Sequence, residues 1–284
     1  MICIFRWTAW LPFPVLERLG KALYWFLYKV VGYRKSVVLL NLNHAFPDWR
    51  NQTFYQTERR YYRYLSELIL EVIKGFYMPL NQLLKRVSVD KDAQILISEM
   101  YSRHQQVVLM LGHYGNWEWP LLMIQKYTKY KPFALYMPLS NPYLDRYFKR
   151  KRQRFGATML SVSEPRQIYA KLKDQPSILA LVGDQSPTGR NRALPVSFLS
   201  MQTNFFLGGE KLAKRLDAAV LYVQMQRKGL GQYRISLKVI TETPLQEAKG
   251  EITRKYASLL ESDIKNKPEY WIWSHKRWKG QINY

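Results

Sequence analysis

A single cysteine, Cys3, is present in 284 residues, so an intramolecular disulfide and a cysteine-based zinc cluster are both excluded and no oxidising compartment is implied. Its place near the start, far in sequence from the other reactive candidates, speaks against a cysteine nucleophile. Histidine is scarce too. His44, His104, His113 and His275 are scattered, without an HExxH pattern, and give no support to a metal site. Acidic residues are few: 21 Asp+Glu stand against 44 Lys+Arg, a formal +23. Such a field draws polyanions, whether nucleic acid, an anionic bilayer face, a phosphorylated substrate or an acidic carrier protein. Missing as well are a GxSxG elbow, a Walker loop and a GxGxxG turn, which leaves a serine acyl-enzyme and the usual nucleotide cradles without support.

No long hydrophobic run occurs. Residues 1–35 do not read as a cleaved signal peptide, because Glu17 and Arg18 interrupt the apolar stretch and no small-residue cleavage site follows. The cleanest apolar run, residues 22–28, is bounded by Lys21 and Lys29 and falls short of the roughly 20 residues a spanning helix needs. Trp7, Trp10, Tyr24, Trp25 and Tyr28, mixed with Arg18, Lys21, Lys29, Arg34 and Lys35, are types that settle at a lipid headgroup boundary. Residues 1–35 are therefore expected to be a hydrophobic, membrane-associating helical segment. The alternative is a helix packed on the body of the protein.

What is present is enough apolar and aromatic material for a sizeable core, 47% and 15% of the chain, which excludes a disordered protein. Residues 36–105 read as mainly helical. Within them, Tyr61, Tyr64, Leu65, Leu68, Ile69 and Val72 recur at helical spacing ahead of Gly75. From Val107 the pattern changes to short apolar runs ended by glycine, VVLML before Gly112 and SILALV before Gly183, which suggest buried parallel strands. A helix is expected over 208–220, followed by strands in LYVQMQRK and QYRISLKVI. With no internal repeat and no long linker, the simplest account is one α/β domain over 36–284, a sheet flanked by helices.

Within VVLMLGHYGNWEWPLLM, residues 107–123, one histidine and one glutamate stand in otherwise apolar surroundings. A buried ionisable group is costly unless paired. If 107–111 is a buried strand, His113 lies just beyond its carboxyl end, where open α/β sheets place their ligands. A helix then begins near Trp117 or Glu118, because Pro120 is tolerated only in a first turn. A carboxylate that accepts from one ring nitrogen fixes the tautomer and leaves the other nitrogen free to take a proton. On spacing alone, a structural His–Glu pair fits as well as a catalytic dyad. Gly112, Gly115 and Asn116 around it favour close approach by a ligand. With the other chemistries unsupported, direct transfer remains: the base deprotonates an acceptor hydroxyl, which attacks an activated carbonyl.

GHYGNWE, with its H-x4-E core, resembles the signature of the glycerolipid-type acyltransferases, and specifically of the lipid A biosynthesis lauroyl/myristoyl acyltransferases. VVLLNLNHAFPD (37–48), YMPLSNPYLDRYFKRKRQRFG (136–156), GDQSP (183–187) and PEYWIWSHKRWK (268–279) are similar to further blocks of that family, in family order. The resemblance implies a glycerolipid acyltransferase-like α/β fold at the cytoplasmic face of the inner membrane. It implies an acyl carrier protein thioester as donor, a phosphorylated glycolipid as acceptor, anionic inner-membrane lipids as surroundings, and no cofactor or metal. By position His113 is the base and Glu118 its partner, while Asp184, with Gln185 beside it, belongs to the site. Asp184 also follows Gly183 at the expected end of a strand, where a turn-capping aspartate is the other reading. The sequence departs from the family pattern at Tyr136-Met137-Pro138, where relatives carry an arginine in the middle; Arg154 is the expected substitute.

The run RYFKRKRQR, residues 146–154, carries six cations, and on a helix Arg146, Arg150 and Arg154 would share one face. Arginine forks suit phosphate and carboxylate. Together with Asn116 these residues are the expected substrate contacts. A basic run with interleaved aromatics also fits nucleic acid, and a related acceptor, an aminolipid or a lysophospholipid, would keep the same dyad. No nucleic-acid-binding module is recognisable, so none is expected as partner. In the tail, Tyr270, Trp271, Trp273 and Trp278 are expected to serve packing or an interface.

Overall fold

The computed structural model describes residues 10–173, 175–187, 193–279 and 281–284. Cys3 and Trp7 lie outside the described residues. Among these residues nine strands form two sheets. The larger takes β1 (Val87–Val89), β2 (Val107–Leu111), β3 (Lys131–Tyr136), β4 (Thr158–Ser161), β5 (Ser177–Val182), β8 (Ala219–Gly229) and β9 (Gln232–Thr241) in the order β1-β9-β8-β2-β5-β3-β4; β6 (Ala193–Phe198) and β7 (Met201–Phe206) form a separate antiparallel pair. Strands β8, β2, β5, β3 and β4 run parallel to one another, and β9 pairs antiparallel to β8.

The sheet divides the core because of strand parity. In β2, Val108 and Met110 face one hydrophobic cluster while Val107, Leu109 and Leu111 face another, as successive side chains must. All five are buried, so the strand reads as continuous apolar sequence rather than an alternation. Helices cover both faces: α3 (Asn51–Gly75), α9 (Gly208–Leu216) and α10 (Glu251–Asn266) contribute to the first cluster, α5 (Lys91–Ser102) and α6 (Glu118–Tyr127) to the second. In α3, Tyr61, Tyr64, Leu65 and Leu68 of the expected face are buried, whereas Val72 is half-buried and Ile69 exposed. Helix α6 starts at Glu118 with Pro120 in its first turn.

Among the described residues there are five further α-helices: α1 (Phe13–Trp25), prolonged by a π-helical turn Phe26–Val30, α2 (Lys35–Ala45), α4 (Leu80–Leu84), α7 (Pro142–Arg152) and α8 (Pro165–Leu172), the last beside β4. Among the described residues no helix is long and apolar enough to cross a membrane. The N-terminal segment lies along α3: Lys74 Nζ donates to the Leu11 carbonyl at 2.8 Å, the Tyr28 and Tyr62 rings are 5.1 Å apart, and Tyr28 donates to Glu58 at 3.3 Å. Tyr28, expected at a lipid boundary, is therefore buried in packing. Trp25, Phe26, Val30 and Val31 remain exposed.

Candidate active site

Register brings the site together. Leu111 pairs with Val182 where β2 and β5 run side by side, and Gly183 N donates to the Leu111 carbonyl at 3.1 Å. His113 and Asp184, each two residues past its strand, thus emerge next to each other at the carboxyl edge of the sheet. Gly112 permits this, since a Cβ there would come 2.5 Å from Leu260 of α10. Gly115 turns the chain at φ +62, with Met225 blocking the place of a side chain.

The carboxylate that holds the imidazole is Asp184, not Glu118. Asp184 Oδ1 is 2.6 Å from His113 Nδ1. Its Oδ2 accepts from the His113 backbone N–H at 2.9 Å and from Trp271 Nε1 at 2.7 Å. Burial by itself would raise the Asp184 pKa, but the adjacent imidazole and these donors outweigh it and lower the value to about 2. An ionised acceptor at Nδ1 demands a proton there, which leaves Nε2 with the lone pair. The Gln185 amide nitrogen lies 3.2 Å from Nε2. Trp117 packs its ring edgewise on the imidazole, centroids 4.9 Å apart.

Glu118 is engaged elsewhere. It accepts both arms of an Arg152 fork, Nε at 2.8 Å and Nη2 at 2.5 Å, so it cannot orient His113 in this arrangement. Arg152 sits in the last turn of α7 and loses solvation there, yet the Glu118 carboxylate more than offsets that and raises its pKa. Arg154, the expected substitute cation, falls beyond the helix end and donates to the carbonyls of Gly75 (3.3 Å) and Met78 (2.8 Å). The row Arg146–Arg150–Arg154 is broken for that reason: Arg146 and Arg150 stay on the exposed side of α7. Asn116, expected to touch substrate, is fully buried. It donates to Glu71 at 3.1 Å and accepts from Trp119 N at 3.3 Å, pinning the loop to α3 and starting α6.

The tail contributes more than packing. Gly115 N donates to Tyr270 O and Ile272 N to His113 O, at 3.0 and 3.1 Å, so residues 270–272 line up against the histidine loop and place Trp271 on Asp184. His275 accepts from Ser186 N at 3.4 Å; burial lowers its pKa to about 4, keeping it neutral. Trp271 and Arg152 are the site residues that sequence reasoning passed over. Only long-range pairing, invisible in spacing, distinguishes them from their neighbours.

His113, Glu118, Arg152 and Gln185 form the polar end of a cavity of ≈ 310 Å³. Most of the rest of its wall is apolar: Leu109 and Leu111 of β2, Ile178, Ala180 and Val182 of β5, Ile235 and Leu237 of β9, with Ala93 and Ile97 of α5 and Leu121 and Ile124 of α6 above; Gln94, Thr128 and Tyr136 also border it. From β9 to β3 it crosses four strand spacings, roughly 19 Å. His113 has the parity of Leu109 and Leu111, which is why its ring borders this space. An imidazole whose Nε2 lone pair faces a long apolar channel, covered only by the Gln185 amide, can act on a group carrying a hydrocarbon chain. Among the described residues no cluster of His, Cys, Asp or Glu could hold a metal ion.

Residues 1–280 match the model of a family described as bacterial lipid A biosynthesis acyltransferase. The chain is 24% identical over 276 residues to the lipid A biosynthesis palmitoleoyltransferase of Escherichia coli (strain K12), an alignment covering 95% of this chain and 86% of that protein. It is 23% identical over 273 residues to the lipid A biosynthesis lauroyltransferase of the same organism, covering 95% and 87%. A lipid A biosynthesis acyltransferase of Shigella flexneri is 24% identical, again over 276 residues.

Proposed function

Because the chain belongs to the bacterial lipid A biosynthesis acyltransferase family, and is an acyltransferase, we propose that it moves a fatty acyl chain from an acyl carrier protein thioester to a hydroxyl of a phosphorylated lipid A precursor. His113 is the base and Asp184 the carboxylate that aims it. One observation carries this reading: the imidazole, tied to Asp184 at 2.6 Å, borders the mouth of a long apolar cavity.

The acyl chain lies in the cavity with its thioester carbonyl at the polar end. The acceptor hydroxyl takes the place that the Gln185 amide holds on Nε2. As its oxygen attacks the carbonyl carbon, its proton passes to Nε2, and the imidazolium is stabilised by Asp184. The tetrahedral intermediate then expels the thiolate, which takes that proton back. The backbone N–H groups of His113 and Gly115 are already engaged, by Asp184 and Tyr270. The displaced Gln185 amide is thus the donor closest to the developing oxyanion. Glu118 is a positioning residue: it holds the Arg152 guanidinium in the cavity wall.

On this reading the reaction takes place at the cytoplasmic face of the inner membrane, and the +23 formal charge would suit carrier, lipid phosphates and anionic headgroups alike. The test is mass spectrometry of lipid A from cells lacking the protein and cells complemented with wild type, His113→Ala or Asp184→Asn. An acyl mass restored by wild type alone supports the reading; restoration by His113→Ala overturns it.

A further inference from the structure

The segment that closes β3 and opens α7 exposes an unusual run of apolar side chains. Residues 137–144 are exposed without interruption. Met137 is 64%, Leu139 46%, Tyr143 79% and Leu144 43% open to solvent. Large apolar groups grouped this way on a surface generally mark a contact. The run is firmly held. Asp145 Oδ1 accepts from Leu139 N at 2.8 Å, and Asn141 caps α7 by accepting from Tyr143 N and Leu144 N at 3.0 and 3.1 Å. Behind it, Phe148 packs on Phe76 and the Arg152 fork ties the helix end to Glu118. The side chains are thus displayed by a fixed scaffold.

Two observations identify the occupant. Met137 and Leu139 also line the cavity, so its wall reaches outward to this lip. One turn further on, α7 carries Arg146 and Arg150 on its exposed side, four residues apart. Apolar side chains bordered by cations are the pattern of a segment that lies in a headgroup layer. We propose that residues 137–150 form a bilayer-docking lip, Leu139, Tyr143 and Leu144 entering an anionic membrane surface while Arg146 and Arg150 meet its phosphates. The cavity mouth then opens onto the lipid phase, and a chain or acceptor moves between bilayer and site without crossing water. The docking claim stands on the surface itself; only its link to turnover rests on the proposed acyl transfer.

The purified full chain carrying Tyr143→Glu and Leu144→Glu, neither of which lines the cavity, is compared with wild type for co-sedimentation with vesicles of phosphatidylethanolamine, with and without phosphatidylglycerol. The expected result is a loss of about tenfold or more in partitioning with unchanged melting. A parallel Arg146→Glu, Arg150→Glu variant should lose only the part that phosphatidylglycerol adds. Transfer to a vesicle-embedded acceptor should fall in step, while transfer to the same acceptor dispersed in detergent stays at the wild-type rate. Partitioning equal to wild type for both variants overturns the proposal. So does retained partitioning with lost binding of an acidic carrier protein, which would make the lip a protein-docking surface. If wild type transfers no acyl group in either format, the catalytic reading fails and the sedimentation result still decides the lip.

Discussion

At the scale of single residues, the site turns on which carboxylate serves the imidazole. His113 and Asp184 were each legible in the sequence, because each follows a glycine that ends an apolar run; their pairing was not. They are 71 positions apart, and only the register of β2 on β5 decides that they meet. Glu118, five residues from His113, drew the partner's role from its place in the H-x4-E core of the family resemblance, spacing alone leaving a structural pair equally open. Asp184→Asn is therefore expected to lower kcat by about 10² to 10⁴, since an amide can hold the wrong tautomer, as steady-state kinetics at constant fold would show. Glu118→Gln and Arg152→Gln should each destabilise the protein, and the double variant by clearly less than their sum. Removing one partner of a largely buried fork strands the other; melting curves of the three variants check the cycle. His275 offers a pH test. Its folded pKa, about 4, lies below the ordinary 6.5, so the unfolded chain binds more protons between these values and stability falls as pH drops through that window. His275→Gln should flatten the acid side of the melting-temperature profile.

At the scale of elements, periodicity was a good guide wherever burial dictated it. Strands β2 and β5 coincide with the two glycine-ended runs, and α3 buries the face its tyrosines and leucines marked out. The basic run misled because a helical row presupposes a continuing helix, whereas α7 ends at Arg152 and sends Arg154 back to the carbonyls of 75 and 78. The cavity between the sheet and helices α5 and α6 was not legible at all. A void is a property of packing, and the residues around it have the same apolar identities as a filled core. Ala93→Phe should fill its β9 end and shift preference toward shorter acyl thioesters. At about 0.8 kcal/mol per methylene, a chain two carbons too long should lose roughly tenfold in kcat/KM, measured by competition between thioesters.

At the scale of the whole molecule, the excess of positive charge had many readings and the fold narrows them. Some cations are consumed internally, as Arg152 is by Glu118 and Arg227 by Glu67 and Glu71, whereas Arg146 and Arg150 remain on the outside. The aromatic tail is likewise internal, Trp271, Trp273 and Trp278 being buried in the larger core. That burial ties the geometry of the histidine loop to a segment far along the chain. Residues 270–272 hydrogen-bond to the histidine loop and Trp271 to Asp184, so these tethers exist only with both sides of the site in place. Cut away from 268 onward, the protein would keep His113 beside Asp184 through strand register but lose the indole on the carboxylate and both backbone tethers, leaving the loop free to splay.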